Sequence, residues 1–198
     1  MSTKRKIAES EGIYFVTITC HEWLPLFELT KGYDLVYKWF DYLKQEGHYI
    51  TGYVIMPNHL HALIAFAHSD KSINSIVGDG KRFMAYEIVK RLKAYPQVNV
   101  LNKLTEAVSN RESRRGKLHE VFQPSFDWKE CRSTKFINQK LGYMHDNPCR
   151  GKWNLVANPV EYEHSSAHFY LTGEQGVFEV FLCGQLEDVD LSKAIVDE

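Results

Sequence analysis

Two groups of residues in this chain have types and spacings that could do chemistry. The first is His59-Leu60-His61. In an extended strand side chains alternate between faces, so both imidazoles project the same way, about 6–7 Å apart by strand rise. Two neutral imidazoles at that spacing can ligate one divalent cation. Leu60, Ala62, Ile64 and Phe66 would fill the opposite face and anchor the strand in a core. The competing reading is two partly exposed histidines with ordinary hydrogen bonds. The second group is Tyr143 and Asn147. Residues three and four apart stack on a helix. Phe136, Lys140, Tyr143 and Asn147 therefore share a stripe beside the core stripe of Ile137, Leu141 and Met144. A tyrosine oxygen there could attack phosphorus with help from a metal and a base, and Asn147 offers a neutral oxygen suited to a hard cation. The plainer alternative has Tyr143 packing at a core edge and Asn147 capping the helix end before Pro148.

A looser group is basic. Lys81, Arg82, Lys90, Arg91 and Lys93 fall on one helical candidate, and Arg111, Arg114, Arg115 and Lys117 follow in an expected loop. Such side chains neutralise phosphates. A solvated helix face gives the same pattern.

The elements that must position these groups are partly visible. Gly12–Cys20 is rich in β-branched and aromatic residues and reads as a strand. Tyr33–Gln45 has Leu35, Val36, Trp39, Phe40 and Leu43 at helical spacing, with Gly47 as its stop. His48–Met56 and His59–Phe66 read as two strands joined by a Pro57-Asn58 turn. Ser72–Ala94 reads as a long helix whose first part is weakened by Gly78 and Gly80; Val98–Ser113 is ambiguous, and Val121–Trp128 reads as irregular chain or a short strand. Ser133 is a good N-cap for a helix from Thr134 to about Asp146, limited by Pro148. The order strand, helix, strand, strand, helix predicts an α+β sandwich with a largely antiparallel sheet.

Composition sets the outer bounds. With 198 residues, 44% hydrophobic and 13% aromatic, the chain can bury a real core. The reading is one domain over 1–173 and an acidic tail over 174–198, with weak patterning and expected mobility after Gly173. The apolar stretch Tyr53–Ala67 is interrupted by Pro57, Asn58, His59 and His61, which excludes a transmembrane helix there, and the N-terminal MSTKRKIAESEG lacks the apolar run of a secretory signal. Cys20, Cys131, Cys149 and Cys183 are scattered, so neither a zinc knuckle nor a disulfide framework is indicated, and a reducing cytoplasm is the simple expectation. The net charge of −1 does not point to nucleic acid, but its distribution is uneven. From Glu174 on, seven acidic side chains face only Lys193, leaving 23 Lys and Arg against 18 Asp and Glu in the body. A mildly basic body is compatible with DNA as partner.

At this point the chain resembles a known family. The run Tyr53-Val-Ile-Met-Pro-Asn-His59-Leu-His61 looks like the signature of the REP-associated tyrosine transposases, single-tyrosine members of the HUH endonuclease group. Leu141-Gly-Tyr143-Met-His-Asp-Asn147-Pro148 is similar to that family's Tyr-Ile-His-x-Asn-Pro block. Glu161-Tyr-Glu-His-Ser165-Ser166 resembles its Tyr-Pro-Trp-Ser-Ser segment, with His164 where the family prefers Trp. Phe122-Gln-Pro-Ser-Phe and Arg132 occupy the family's places upstream of the tyrosine. The likeness runs in order over roughly residues 12 to 172.

The resemblance implies a ferredoxin-like HUH endonuclease fold. It implies Tyr143 as nucleophile, His59, His61 and Asn147 around Mg²⁺ or Mn²⁺, and single-stranded or hairpin DNA as partner. Lys81, Arg82, Lys90, Arg91, Arg132 and Lys140 are the expected DNA contacts. The implied reaction is metal-dependent nicking and strand transfer through a 5′-phosphotyrosine. The alternative is a domesticated protein that holds hairpin DNA without cutting it. Monomer and homodimer both remain open. A histidine-triad phosphoesterase would need a third alternating histidine, and Leu63 stands there.

Overall fold

The computed structural model describes residues 6–94, 98–186 and 189–193. The elements run β1 (Gly12–Thr19), α1 (Leu26–Leu29), α2 (Tyr33–Gln45), β2 (Tyr49–Met56), β3 (His59–Phe66), α3 (Ile73–Ala94), α4 (Val98–Glu106), α5 (Asn110–Ser113), β4 (Asp127–Glu130), α6 (Thr134–His145) and α7 (Ala167–Thr172). The four strands form one sheet in the order β2-β3-β1-β4. All three pairings are antiparallel. A β-α-β-β-α-β path with this strand order is the ferredoxin-like arrangement. The expected α+β sandwich is therefore what forms.

The alternation of β1 and β3 sorts the molecule into layers. Tyr14, Val16, Ile18, Leu60, Ala62, Ile64 and Phe66 enter one core with Leu35, Val36, Trp39, Phe40 and Leu43 of α2 and Ile76, Met84, Ile88 and Leu92 of α3. Phe15, Val54, Met56 and Leu63 enter a second core with Ile137, Leu141 and Met144 of α6. The sheet thus lies between α2 and α3 on one side and α6 on the other. Every residue of β3 is buried, as expected for a strand covered on both faces.

Two glycines permit close approaches. A Cβ at Gly80 in α3 would overlap the Trp39 indole, so the helix keeps a glycine despite its cost to propensity. At Gly52 in β2, a Cβ would crowd the Leu141 methyl of α6. That contact lets α6 sit low on the sheet, next to the strand carrying the imidazoles.

Three sequence expectations change. The ambiguous stretch resolves into α4 and α5, and part of the expected loop at Arg111–Lys117 lies in α5, whose N-cap is Ser109. β4 is a four-residue edge strand paired with β1. The larger correction concerns residues 174–186, which are packed against the body rather than trailing from it. Phe178, Val180 and Leu186 are buried. Phe178 lies 5.3 Å from Phe40 between ring centroids. The Phe181 amide donates to the Ile50 carbonyl at 2.9 Å. The Phe178 amide donates to the Tyr53 hydroxyl at 3.3 Å. Further up the same strand edge, His164 and Ser166 pair with Ile55 and Tyr53. Glu187, Asp188, Asp197 and Glu198 of the acidic tail lie outside the described residues.

Candidate active site

β3 begins at the Pro57-Asn58 turn, and its odd positions face α6. His59 and His61 are 6% exposed each, with ring centroids 4.7 Å apart. Their partners across the ladder are Thr19 and Thr17 of β1 and Met56 and Val54 of β2. Asn58 Oδ1 lies 2.7 Å from His59 Nδ1. That carbonyl oxygen can only accept, so Nδ1 carries the proton and Nε2 keeps its lone pair. Thr17 Oγ1 lies 2.8 Å from His61 Nδ1. The same tautomer follows there if the hydroxyl accepts, leaving a second Nε2 lone pair.

Burial holds both rings neutral. It lowers His59 from 6.5 to about 4, opposed by a hydrogen bond to Asn147. Burial lowers His61 from 6.5 to about 3, with the His59 and Lys140 charges acting in the same direction. Unprotonated rings near neutral pH are what metal ligation requires.

Helix α6 brings the second group to the first. Ser133 accepts from the Phe136 amide at 3.3 Å and starts the helix. Ile137, Leu141 and Met144 face the sheet, and the neighbouring stripe then overhangs the imidazoles. The Tyr143 ring lies 5.4 Å from His61 and 6.2 Å from Phe15 between centroids, and it is 52% exposed. Asn147 donates from Nδ2 to the Tyr143 carbonyl at 2.9 Å. This leaves its Oδ1 as the atom for the His59 contact. The capping role considered from sequence and the approach to the imidazole are both present. Lys140 Nζ sits 5.0 Å from the Phe15 ring centroid, 5.1 Å from Phe136 and 5.8 Å from Tyr143, a cation framed by three aromatic rings.

The donor set fits a hard or borderline divalent cation: two neutral imidazoles with oriented Nδ1 atoms and one amide oxygen. Among the described residues no group of three His, Cys, Asp or Glu side chains could hold a metal, and the third protein donor beside the imidazoles here is the Asn147 amide.

The other expected residues are not gathered here. Lys81 donates to the Gln123 and Ser125 carbonyls at 2.7 and 3.2 Å, pinning the chain that leads into β4. Arg91 makes a bidentate pair with Asp34, both bonds 2.7 Å, tying α3 to α2. Arg82 pairs with Asp79 and Lys90 with Glu87 on the outer surface of α3. These four belong to the opposite side of the sheet from Tyr143. Arg132 is exposed and pairs with Glu130. Lys140 alone of the six stands at the site.

Thr17, Asn58, Phe15 and Trp23 were not singled out from the sequence. The first three could have been: Phe15 and Thr17 alternate onto the face of the histidines once β1 and β3 pair, and Asn58 adjoins His59. Trp23 lies in a short 3-10 turn after β1 and carries no periodic signal.

No protein-family model matches the chain, and no curated protein does. Solved structures do. The structure of a REP-associated tyrosine transposase bound to a REP hairpin is 18% identical, with 100% of each chain covered and a TM-score of 0.58. The two proteins share a fold. At this identity the likeness extends to architecture and no further. A structure from Deinococcus radiodurans R1, provisionally described as a transposase, is 17% identical over 74% of this chain and 97% of that one, at a TM-score of 0.41. That likeness is too low to support an inference. No helix among the described residues is long and apolar enough to cross a membrane, and the four cysteines are free.

Proposed function

We propose that this chain is a transposase of the REP-associated tyrosine type, cutting single-stranded or hairpin-borne DNA with Tyr143. The observation that carries the reading is the meeting of a half-exposed phenol on a late helix with a buried imidazole pair on a central strand, 5.4 Å from ring to ring at Tyr143 and His61. Residues 84 positions apart in sequence, His59 and Tyr143, are brought there by a fold shared with a hairpin-bound transposase.

In the proposed reaction the Tyr143 oxygen attacks the scissile phosphorus. The new oxygen–phosphorus bond forms as the bond from phosphorus to the 3′ oxygen breaks, and the phenol's proton ends on that 3′ oxygen. The product is a 5′-phosphotyrosine and a free 3′-hydroxyl. Phosphodiester energy is conserved, so a 3′-hydroxyl can attack the linkage and rejoin strands without a nucleotide cofactor. Bound at His59, His61 and Asn147, Mg²⁺ or Mn²⁺ would polarise the phosphate as a Lewis acid. Asn58 and Thr17 orient the two imidazoles. Asn147 links helix and strand by holding the Tyr143 carbonyl while facing His59. The Lys140 ammonium, 5.8 Å from the Tyr143 ring centroid, would offset negative charge developing on a phosphate attacked there.

The test is direct. With hairpin oligonucleotides and Mg²⁺, the wild-type protein should form a covalent adduct that survives denaturing electrophoresis. Tyr143→Phe should form none, with its circular dichroism and thermal midpoint unchanged because the hydroxyl is not part of the core. An adduct on Tyr143→Phe would mean that another residue is the nucleophile. Binding without cutting by the wild-type protein would favour the domesticated hairpin binder.

A further inference from the structure

Trp23 is a half-exposed aromatic side chain at this site that the reaction above leaves unused. It follows β1 in a short 3-10 turn, His21–Trp23. Glu22 and Trp23 both take left-handed backbone, with φ of 47° and 58°. Residues with a Cβ adopt that region at a cost, and two in succession need support from their surroundings. The support is visible. Trp23 N donates to Cys20 O at 3.1 Å, and Leu24 N to His21 O at 3.0 Å. Asn58 Nδ2 donates to Trp23 O at 3.3 Å. Yet the strain does not serve to bury the indole, which remains 49% exposed. It holds the indole in a T-shaped pair with the His59 ring, 5.5 Å between centroids at 75°.

The rings form a row. Trp23 touches His59, His59 touches His61 at 4.7 Å, and His61 touches Tyr143 at 5.4 Å. Trp23 thus adjoins the first imidazole of the strand and Tyr143 the second. In phosphoryl transfer the attacking and leaving oxygens lie roughly in line through phosphorus. With Tyr143 attacking from its end, the leaving 3′ oxygen and its nucleoside point toward the indole.

We infer that Trp23 is a stacking platform for the nucleobase immediately 5′ of the scissile phosphate, on the nucleotide whose 3′ oxygen leaves. The inference rests on Tyr143 being the nucleophile. An indole face stacks on any unpaired base, and most strongly on those with the larger ring system, so it recognises single-stranded character and favours purines. Stacking has two effects here. It aligns the leaving oxygen, and it retains the 3′-hydroxyl beside the phosphotyrosine for the rejoining step. Asn58 ties the first two members of the row together, bonding the Trp23 carbonyl and the His59 ring.

The experiment has two arms. In the first, Tyr143→Phe protein is irradiated with hairpin oligonucleotides whose randomised single-stranded flanks carry 5-iodouracil, and the crosslinked peptide is identified by mass spectrometry. The expected crosslink is at Trp23, and it should vanish in Trp23→Leu. In the second arm, an oligonucleotide cut by the wild-type protein is remade without the base 5′ of the cut. Its rate of adduct formation should fall about tenfold in the wild type and show no further fall in Trp23→Leu, with Trp23→Phe intermediate. Crosslinks found only elsewhere, or the same penalty in wild type and Trp23→Leu, would overturn the platform. Cutting with that unchanged penalty would leave the nucleophile standing. A Trp23 crosslink with no cutting of any oligonucleotide would count for the platform and against the nucleophile.

Discussion

The same two strands present very different surfaces to the two sides of the sheet. Toward α2 and α3, β1 and β3 offer Tyr14, Val16, Ile18, Leu60, Ala62, Ile64 and Phe66, an apolar layer that is closed everywhere. Closure there is favoured even over polar pairing, since Tyr14 Oη and Trp39 Nε1 are buried with no hydrogen-bond partner among the described residues. Toward α6 the intervening positions are Phe15, Thr17, Thr19, His59, His61 and Leu63, and a single helix with a half-exposed tyrosine covers them. Burying imidazoles costs stability that leucines there would not. The polar side of the sheet accepts that cost in exchange for lone pairs held in place. Stability and the proposed chemistry are thus divided between faces one residue out of phase.

That division can be broken at chosen positions. The largest effect is expected at Thr17, which bonds the His61 ring without contributing a ligand atom. Thr17→Val should weaken Mn²⁺ binding about 10–100-fold, as loss of an outer-shell partner does. Calorimetric titration measures it, and a thermal midpoint near that of the wild type shows that the effect belongs to the polar face. On the sealed face, Gly80→Ala should destabilise by about 1–3 kcal/mol through overpacking against Trp39. Urea unfolding reads that loss, and Mn²⁺ affinity should not follow it.

Acid should act mainly on the polar face. His59, His61 and His145 are held at about 4, 3 and 4 by burial, against an ordinary 6.5. Between those values and 6.5 the unfolded chain binds more protons than the native one. Stability is therefore complete above about pH 6.5 and falls as the pH drops toward 4, by up to about 1.4 kcal/mol per pH unit for each such group. His145 bonds Ser166 Oγ at 2.8 Å beneath α6. His145→Gln should flatten the slope of the urea midpoint against pH, and an unchanged slope would remove that histidine from the account. The smallest effect is a gain. Nothing lies within 4 Å of a Cβ at Gly78, so Gly78→Ala should stabilise α3 by about 0.5–1 kcal/mol, opposite in sign to its neighbour two positions on.

How much of this could be read in advance follows from period and pairing. β1, β2, β3, α2 and α6 declare themselves because their apolar residues repeat at two or about 3.6, and the stripe holding Lys140, Tyr143 and Asn147 needs only helical geometry. Gly78 and Gly80 look alike in sequence, and only the Trp39 indole from another helix distinguishes them. The basic residues of α3 are equally mute. Arg91 is committed to Asp34 and Lys81 to two carbonyls, partners about 60 and 40 positions away by the fold's path, which no local pattern records. Residues 174–186 show no period because they pack as irregular backbone and a short 3-10 turn, burying Phe178, Val180 and Leu186 singly. The convergence of imidazole and phenol depends on α6 lying on the His59 side of the sheet, a tertiary fact that periodicity does not contain.

That last stretch of chain has a bearing on how the molecule tolerates shortening. With His164–Ser166 and Phe181 bonded along β2, the strand offers little unpaired backbone for another chain to join. The opposite border, β4, is four residues long and carries three charged side chains beside its one tryptophan, Asp127-Trp128-Lys129-Glu130. A protein clipped after Gly173 would lose the first of these guards at Ile50 and uncover the rings of Tyr37, Phe40 and Tyr53 beneath Phe178. Its imidazoles and phenol would survive the cut. Its solubility would not, because an open strand edge beside bare aromatic surface is a template for clumping.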